Sequence, residues 1–180
     1  MSRLDEFEIL NKRLIQKTKI FDLYLEDIKT PSNKIVEWVH LDHKGASVIL
    51  PIDNDGKIIL IRQYRNNAEG TIYEVPAGGL EKGESPLDCA IRELEEEIGK
   101  KSNNITKLFS IYSSIGFSNE KLHFYIATDL FDGNQNLDED EYIEICKFTV
   151  EEVLQMIYTG EVVDSKVVIA VLAYINLKNK

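Results

Sequence analysis

Residues Gly78–Gly99 read GGLEKGESPLDCAIRELEEEIG, a glycine-rich segment followed directly by an acidic one. The hydroxyl of Ser85 can cap the N-terminus of a helix, and Pro86 suits the first helical position because its φ is fixed and it has no N–H to leave unpaired. Gly99 can adopt the left-handed conformation in which helices commonly end. The segment therefore predicts a tight loop and then a helix that begins after Ser85 and ends at Gly99.

The predicted helix has an apolar side with two carboxylates at its edge. Five apolar residues recur at helical spacing and predict a buried stripe: Leu87, Ala90, Ile91, Leu94 and Ile98. Glu93 and Glu97 are one helical turn apart, so their like charges repel each other. Two interpretations are open. Either the acidic face is simply solvated, or it binds a hard cation such as Mg²⁺, which prefers oxygen ligands.

The loop and the helix together form a longer pattern. Gly78 is followed at fixed spacing by Glu84, by Arg92-Glu93-Leu94, by Glu96-Glu97 and by Gly99. This pattern resembles the Nudix box of the Nudix hydrolases, although Lys100 stands where that family usually has an aliphatic residue. The resemblance implies an α/β fold of mixed type, an α/β/α sandwich with a mixed sheet. It also implies cleavage of a nucleoside diphosphate linked to another moiety.

The resemblance also implies a metal site. Glu93 and Glu97 correspond to the principal ligands of Mg²⁺, with Mn²⁺ as an alternative ion, and the main-chain carbonyl of Ala77 corresponds to a further ligand. Glu96 corresponds to a residue that assists catalysis directly or through water. Arg92 would then orient the carboxylates, a role typical of residues that hold metal ligands in place.

Two further residues of the pattern correspond to structural positions of the loop. Glu84 would anchor the loop to the helix, and Gly78 would let the backbone approach a ligand closely because it has no side chain. The prediction for this region is therefore a loop fixed to the helix that carries the metal ligands.

Flanking segments resemble the ADP-ribose pyrophosphatase branch of the family. They are His43-Lys44-Gly45-Ala46, Arg62-Gln63-Tyr64-Arg65, Tyr73-Glu74-Val75-Pro76-Ala77-Gly78 and Gly116-Phe117-Ser118-Asn119-Glu120. This branch implies Mg²⁺-dependent hydrolysis of ADP-ribose to AMP and ribose 5-phosphate. The alternatives are a Nudix hydrolase of another nucleoside diphosphate derivative and a Nudix domain that binds nucleotides without catalysis.

The same resemblance implies substrate contacts. Arg65 would reach the diphosphate, and Gly116 or Phe117 would contact the terminal ribose. An aromatic residue of the first strands would stack on adenine, and the candidates are Trp38, Phe21 and Tyr24. The alternative for Trp38 is an ordinary packed or interface aromatic side chain.

A second acidic run, Asp138–Glu141, offers a catalytic base. In the branch that the flanking segments resemble, a loop at this position carries a catalytic glutamate and a metal ligand two residues later. Glu139 best matches the base and Glu141 the ligand, with an offset of one or two positions also open. A solvated acidic loop is the other interpretation.

The remaining sequence predicts strands and two more helices. Apolar residues alternate with polar ones from Lys19 to Ile28, which is typical of a half-buried strand. Further strands are predicted at 35–41, 46–52, 57–64, 71–75, 107–112, 121–128 and 142–149. Thr149 and Glu152 form a capping box before a helix that Gly160 ends, and Asp164 or Ser165 can cap a last helix with Val168, Val171, Leu172 and Ile175 on one side.

The domain prediction divides the chain into 1–42, an N-terminal antiparallel β-hairpin extension, and 43–180, the Nudix domain. The resemblance implies a homodimer in which the strands at 19–41 are swapped and complete the partner's active site. The expected partners are therefore a small nucleotide sugar and a second copy of the chain.

Charge and composition exclude several classes of protein. Lys and Arg number 21 against 31 Asp and Glu, a net charge of −10, which argues against nucleic-acid binding. The longest apolar run is about half of the roughly 20 residues needed to cross a bilayer, so no membrane association is expected. Cys89 and Cys146 form no CxxC pair. These observations, with an N-terminus unlike a signal peptide, predict a cytoplasmic protein.

Overall fold

The computed structural model describes residues 3–178. It contains three helices and ten strands, with short 3₁₀ turns at Arg3–Glu6 and Asn66–Ala68. The strands are β1 Glu8–Lys17, β2 Phe21–Lys29, β3 Ile35–His43, β4 Ala46–Pro51, β5 Ile58–Arg65, β6 Gly70–Glu74, β7 Ala77–Gly79, β8 Lys100–Tyr112, β9 Lys121–Asp132 and β10 Ile143–Phe148. The helices are α1 Pro86–Ile98, α2 Val150–Thr159 and α3 Ser165–Lys178. The predicted mixed α/β fold class is confirmed.

The chain divides into two compact units. The first unit comprises the chain up to Gly45 together with Ile111–Leu122, and the second comprises Ala46–Ser110 and the chain from His123 onward. The observed units are therefore not contiguous segments, because the loop between β8 and β9 belongs to the first.

In the first unit, β1, β2 and β3 form an antiparallel sheet in that order. The predicted hairpin is present as β2 and β3, with Phe21 opposite His43 and Lys29 opposite Ile35. β1 was not predicted. All ten of its residues are exposed, so it has no buried face to produce an alternating apolar pattern.

In the second unit, β4 and β5 diverge although a short turn joins them. β4 belongs to a sheet of order β7-β4-β9-β8, and β5 belongs to a sheet of order β10-β5-β6. β4 and the first half of β5, Ile58–Ile61, are nearly continuous apolar runs because they are buried on both faces, whereas β5 ends in the polar and exposed residues Tyr64 and Arg65. α1 packs on β4 and β7, whereas α3 packs on β4 and β6. The main core cluster between these layers comprises Ile49, Ile59, Ile61, Ala90, Leu94, Ile98, Tyr125, Ala127 and Leu130.

Helices α1 and α2 begin and end where their caps predict. Ser85 Oγ accepts the N–H of Asp88 at 3.2 Å, and Gly99 ends α1 with a φ of 63°. Thr149 and Glu152 form both bonds of the capping box, and Gly160 ends α2. None of the helices within residues 3–178 is long and apolar enough to cross a lipid bilayer.

The predicted buried faces of two helices were partly wrong. Leu87 and Ile91 of α1 are 42% and 41% exposed, and the buried positions are Cys89, Ala90, Glu93, Leu94, Glu97 and Ile98. In α3, Leu172 is exposed and the buried positions are Val167, Ala170, Val171 and Tyr174. In α1, the buried face is therefore rotated away from Leu87 and Ile91 and toward the side that carries Glu93 and Glu97.

Candidate functional site

The site is built around the two glutamates of α1. Glu93 is 8% exposed and Glu97 is 3% exposed, so both carboxylates are buried where α1 packs on β4 and β7. An uncompensated buried charge is costly. The structure therefore confirms that the two side chains share one helix face, and it places them inside the protein rather than at the edge of its core.

β7 and the glycine-rich loop that follows it, residues 77–85 and together called the β7 loop, lie directly on these carboxylates. The N–H of Ala77 donates to Glu97 Oε2 at 3.1 Å. A Cβ built on Gly78 would overlap the carboxylate of Glu93, so a side chain at position 78 would force that carboxylate to move. The loop and the two glutamates thus form one packed unit.

Arg92 connects the loop to the acidic face of α1. Its Nε and Nη2 donate to the two oxygens of Glu84 at 2.9 and 3.1 Å. Its Nη1 donates to Glu93 Oε1 at 2.6 Å and to Glu96 Oε2 at 2.9 Å, and Nη2 also donates to the carbonyl of Gly79 at 3.2 Å. These bonds, that to Glu84 first, raise the pKa of Arg92 above its usual range. Arg92 is therefore held on every side by acceptors of this site.

Glu84 completes the connection from the loop side. Besides Arg92, its carboxylate accepts the N–H of Glu81 at 2.9 Å. The hydrogen bond from Arg92 lowers the pKa of Glu84, so this carboxylate stays charged. Glu84 therefore links the N–H of Glu81 to the guanidinium of Arg92 on α1.

The two buried carboxylates lack sufficient positive charge. Burial, followed by the negative charge of Glu93, raises the pKa of Glu97 to about 9, although the N–H of Ala77 favours its charged form. Burial also raises the pKa of Glu93, with Arg92 opposing it. A divalent cation would supply the missing charge, and carboxylate oxygens are the donors that Mg²⁺ prefers. The donor set therefore fits such an ion.

The acidic side chains of this site do not by themselves form a complete set of ligands for a metal ion. Within residues 3–178, no group of three or more His, Cys, Asp or Glu side chains is arranged to hold a metal ion. Mg²⁺ usually keeps several waters and takes few carboxylates, so main-chain and solvent oxygens would provide its remaining ligands. Ala77 lines the cavity beside Glu93, which is where such a main-chain oxygen would be needed.

A cavity of about 270 Å³ opens over this site. Its wall brings together the β7 loop, α1 and the acidic run after β9: Ala77, Gly78, Gly79, Glu81, Arg92, Glu93, Glu96, Asn136, Asp138 and Glu141. Glu139 is exposed and does not line the cavity. Of the acidic run, the structure thus brings Asp138 and Glu141 to the site, and the negative charge of Glu141 raises the pKa of Glu97.

Arg65 lies in a separate cluster of charged groups. Its Nε and Nη2 donate to the buried carboxylate of Glu74 at 2.6 and 3.1 Å. Lys166 Nζ lies 3.1 Å from Glu74 Oε2 and 2.9 Å from Asp164 Oδ1. Sequence reasoning missed Glu74, Lys166 and Asp164. The one available signal was the carboxylate of Glu74 in a strand that is otherwise apolar toward the core.

The predicted contacts for adenine and ribose all lie in the first unit. Trp38, Gly116 and Phe117 line a cavity of about 550 Å³, and Phe21 and Phe117 line another of about 210 Å³. The N–H of Leu41 donates to the carbonyl of Phe117 at 2.7 Å, which fixes this loop to the end of β3. Trp38 and Phe117 are each 52% exposed and so present aromatic surface to a ligand or a partner.

Comparison with known proteins gives consistent matches. The NUDIX domain family model matches residues 41–170. The chain is 39% identical to an ADP-ribose pyrophosphatase of Bacillus subtilis (strain 168), with 99% of this chain and 96% of the relative covered. It is 37% identical to a methanol dehydrogenase activator of Bacillus methanolicus, with 95% and 94% covered.

A solved structure described as an ADP compounds hydrolase shares the fold. The two structures superimpose with a TM-score of 0.84 at 22% sequence identity, and the match covers 95% of this chain and 93% of the other. The family model, the near full-length relatives and the shared fold agree with the Nudix box at Gly78–Gly99. The chain therefore belongs to the Nudix family.

Proposed function

We propose that this Nudix hydrolase cleaves the diphosphate of ADP-ribose to give AMP and ribose 5-phosphate. The observation that carries the proposal is the buried pair of Glu93 and Glu97 under the β7 loop, whose charge calls for a cation. The near full-length identity to the Bacillus subtilis relative supports the choice of substrate. In the reaction, the oxygen of water bonds to one phosphorus, and the bond from that phosphorus to the bridging oxygen breaks.

Nudix hydrolases generally need a divalent metal ion. We assign Mg²⁺ here, with Mn²⁺ as an alternative, and its ligands to Glu93, Glu97, Glu141 and the carbonyl of Ala77. The three carboxylates are not grouped closely enough to hold an ion as they stand, so this assignment requires them to move together when the ion binds. When bound, such an ion offsets the charge of the diphosphate and lowers the pKa of the attacking water. The raised pKa of Glu97 and the cavity over Glu93 and Glu141 support this assignment.

The protein's own residues position these groups. Arg92, fixed by Glu84, holds the carboxylates of Glu93 and Glu96 in place through its Nη1. Glu96 lines the cavity and assists the reaction at its edge. Gly78 gives the loop its close approach to Glu93.

We assign the catalytic base to Glu139, which accepts the proton of the attacking water. Its neighbour Asp138 lines the cavity and Glu139 does not, so this role requires the loop to turn when substrate binds. Loops commonly carry such groups on a rigid scaffold. Asp138 is the neighbour that would replace Glu139 if the loop keeps its present conformation.

The proposal assigns three contacts to the nucleotide sugar. Arg65 binds the diphosphate. Trp38 or Phe21 stacks on adenine, and Gly116 or Phe117 contacts the terminal ribose. The cavities that the aromatic residues and Gly116 line support the assignment for adenine and ribose.

We further propose a homodimer in which residues 1–42 act as the swapped extension of the Nudix domain at 43–180. The exposed apolar side chains of β1 and β3, among them Ile9, Leu14, Ile35, Trp38 and Val39, support an interface there. The absence of a disulfide between the two cysteines of the chain supports a reducing compartment, and we place the protein in the cytoplasm.

The decisive experiment is a substrate panel with product identification. ADP-ribose, ADP-glucose, diadenosine polyphosphates and NADH are incubated with the protein and Mg²⁺, and kcat/KM is ranked. We expect ADP-ribose to rank first and to give AMP and ribose 5-phosphate in equal amounts. A higher rank for another substrate would show a different Nudix hydrolase, and binding of ADP-ribose without turnover would show a non-catalytic domain.

A further inference from the structure

The segment after β9 is attached to the last turn of α1 by four hydrogen bonds. The N–H groups of Gly133 and Asn136 donate to the carbonyls of Gly99 and Glu96, each at 3.0 Å. The side-chain amide of Gln135 donates to the carbonyl of Glu97 at 2.8 Å. The N–H of Asn134 donates to Glu95 Oε1 at 3.2 Å.

These bonds satisfy acceptors that the helix itself leaves open. The last carbonyls of an α-helix have no partner within the helix and need one from elsewhere. In α1 the segment 133–136 provides partners for the carbonyls of Glu96 and Glu97, and Glu97 is also one of the two buried glutamates of the site. Glu97 thus takes part in both features. Its side chain belongs to the carboxylate site, and its main-chain carbonyl accepts a hydrogen bond from the segment 133–136.

The packing between the two segments is close. A Cβ on Gly99 would lie 3.2 Å from the N atom of Gln135, and a Cβ on Gly133 would lie 3.1 Å from Glu95 Oε1. Both distances are shorter than ordinary van der Waals contact. Two glycines therefore allow the segment to lie directly against the end of α1.

The attached segment leads straight into the acidic run. Asn136 and Asp138 line the same cavity as Glu93, together with Glu141. The run is also closed on itself, because the N–H of Asp138 donates to Glu141 Oε2 at 3.2 Å and the N–H of Glu141 donates to the carbonyl of Asp138 at 3.0 Å. The position of its carboxylates relative to Glu93 and Glu97 is thus set by how the segment is attached to α1.

We infer that Gln135 is a positioning residue, which acts through the main chain of Glu97 to hold the acidic run over the cation site. The inference rests on the proposed function. Gln135 is the one member of the attachment whose donor is a side chain, so its bond can be removed without changing the backbone. Its side-chain amide donates to the main-chain carbonyl of Glu97, a residue that we assign as a metal ligand.

The test compares three substitutions of Gln135 in the full-length protein. Gln135→Glu has the same shape but replaces the donor by a second acceptor, Gln135→Met removes the polar group, and Gln135→Lys keeps a donor. Gln155→Glu makes the same charge change at an exposed position of α2 and is the control. Binding of Mn²⁺ alone is measured by titration calorimetry, and kcat and KM for ADP-ribose are measured separately.

For Gln135→Glu and Gln135→Met we expect Mn²⁺ to bind about fivefold more weakly and kcat to fall about tenfold, with KM unchanged within about twofold, as the loss of one hydrogen bond to a fixed acceptor allows. Gln135→Lys should keep both values close to those of the wild-type protein, because it retains a donor, and Gln155→Glu should match the wild-type protein. The thermal midpoint should stay close to that of the wild-type protein in every variant.

Three results would overturn the inference. Unchanged Mn²⁺ affinity and kcat in Gln135→Glu would show that the bond has no role. An equal loss in Gln155→Glu would show a general effect of charge. Equally weak Mn²⁺ binding and low kcat in Gln135→Lys would show that the donor at position 135 is not what matters. If the wild-type protein does not cleave ADP-ribose, the proposed function fails, while the Mn²⁺ titration still decides the role of Gln135.

Discussion

Arg65 and Glu74 are joined by two parallel hydrogen bonds, from Nε to Oε1 at 2.6 Å and from Nη2 to Oε2 at 3.1 Å. Two-point contact of this kind fixes the plane of the guanidinium as well as its position. Lys166 adds a second cation to Glu74 Oε2 at 3.1 Å and thereby joins the start of α3 to β6. The buried carboxylate is therefore the centre of an ion network that holds three elements together.

Glu74→Gln should destabilise the protein by about 3 kcal/mol at neutral pH, because removing one partner of a buried ion pair leaves the others uncompensated. Burial alone raises the pKa of Glu74, but the hydrogen bond from Arg65 and the charge of Lys166 outweigh it, so the pKa lies below the usual range of a glutamate. The unfolded state then binds the proton more readily. The stabilisation is therefore fully present above the unfolded pKa and is lost as the pH falls through the lower folded value.

Urea unfolding at several pH values between 3 and 7 checks this prediction. The difference between the wild-type protein and Glu74→Gln should be largest above about pH 5 and should shrink below about pH 4. Glu69→Gln, at an exposed carboxylate, is the control and should leave the curve unchanged. A difference that is constant over the whole range would contradict the prediction.

Glu93→Gln and Glu97→Gln should each reduce kcat/KM for ADP-ribose by at least about a hundredfold, because each removes an anionic ligand of the proposed ion. Both variants should stay folded, since an amide of the same shape removes a buried charge. Circular dichroism and steady-state kinetics check the two statements. Glu161→Gln, at an exposed position, is the matched control, and near-normal turnover in either buried variant would contradict the assignment.

Mg²⁺ should raise the thermal midpoint of the wild-type protein. A cation that binds only the folded state stabilises it, and at about ten times Kd the midpoint should rise by roughly 3 to 6 °C. Calorimetry with and without EDTA measures the rise. Glu97→Gln should show a much smaller rise, and an equal rise in that variant would place the ion elsewhere.

Glu139→Gln should lower kcat by about a hundredfold with little change in KM, because a base acts in the transition state. Glu141→Gln should mainly shift the dependence of the rate on Mg²⁺. Asp138→Asn and Asp140→Asn complete the series at saturating ADP-ribose. If Asp138→Asn abolishes turnover and Glu139→Gln does not, the base is Asp138, the neighbour that lines the cavity.

The protein should sediment as a dimer at nanomolar concentration. The exposed apolar side chains of β1 and β3 motivate the prediction, since such surface usually marks an interface. Ile9→Lys combined with Leu14→Lys should weaken the association and lower activity together. A fully active monomer would contradict both the dimer and the sharing of its site.

The sequence predicts some parts of this molecule well because their causes are local. Ser85, Pro86 and Gly99 act within one helical turn of the ends of α1, and Thr149 with Glu152 does the same for α2. Caps of this kind depend on neighbours in the chain rather than on packing.

Other features escape prediction because their causes are distant in the chain. The buried face of α1 includes Glu93 and Glu97, and a pattern that assigns charges to solvent cannot anticipate this. The contact of Glu74 with Lys166 joins β6 to α3, and the bond from Gln135 to Glu97 joins a loop to a helix end. Neither pair has a spacing that marks it as a contact.

Gly78 lies against the carboxylate of Glu93, so a substitution at this position of the loop also alters the helix side chain. Any side chain at position 78 would occupy the space of the carboxylate and turn it away, although no ligand residue had been altered. A single nucleotide exchange from a glycine to an alanine codon would thus leave a protein with every acidic residue of the Nudix box and a displaced Glu93. In descendants of this chain, the residue at position 78 would therefore reveal the loss of the site before the glutamates did.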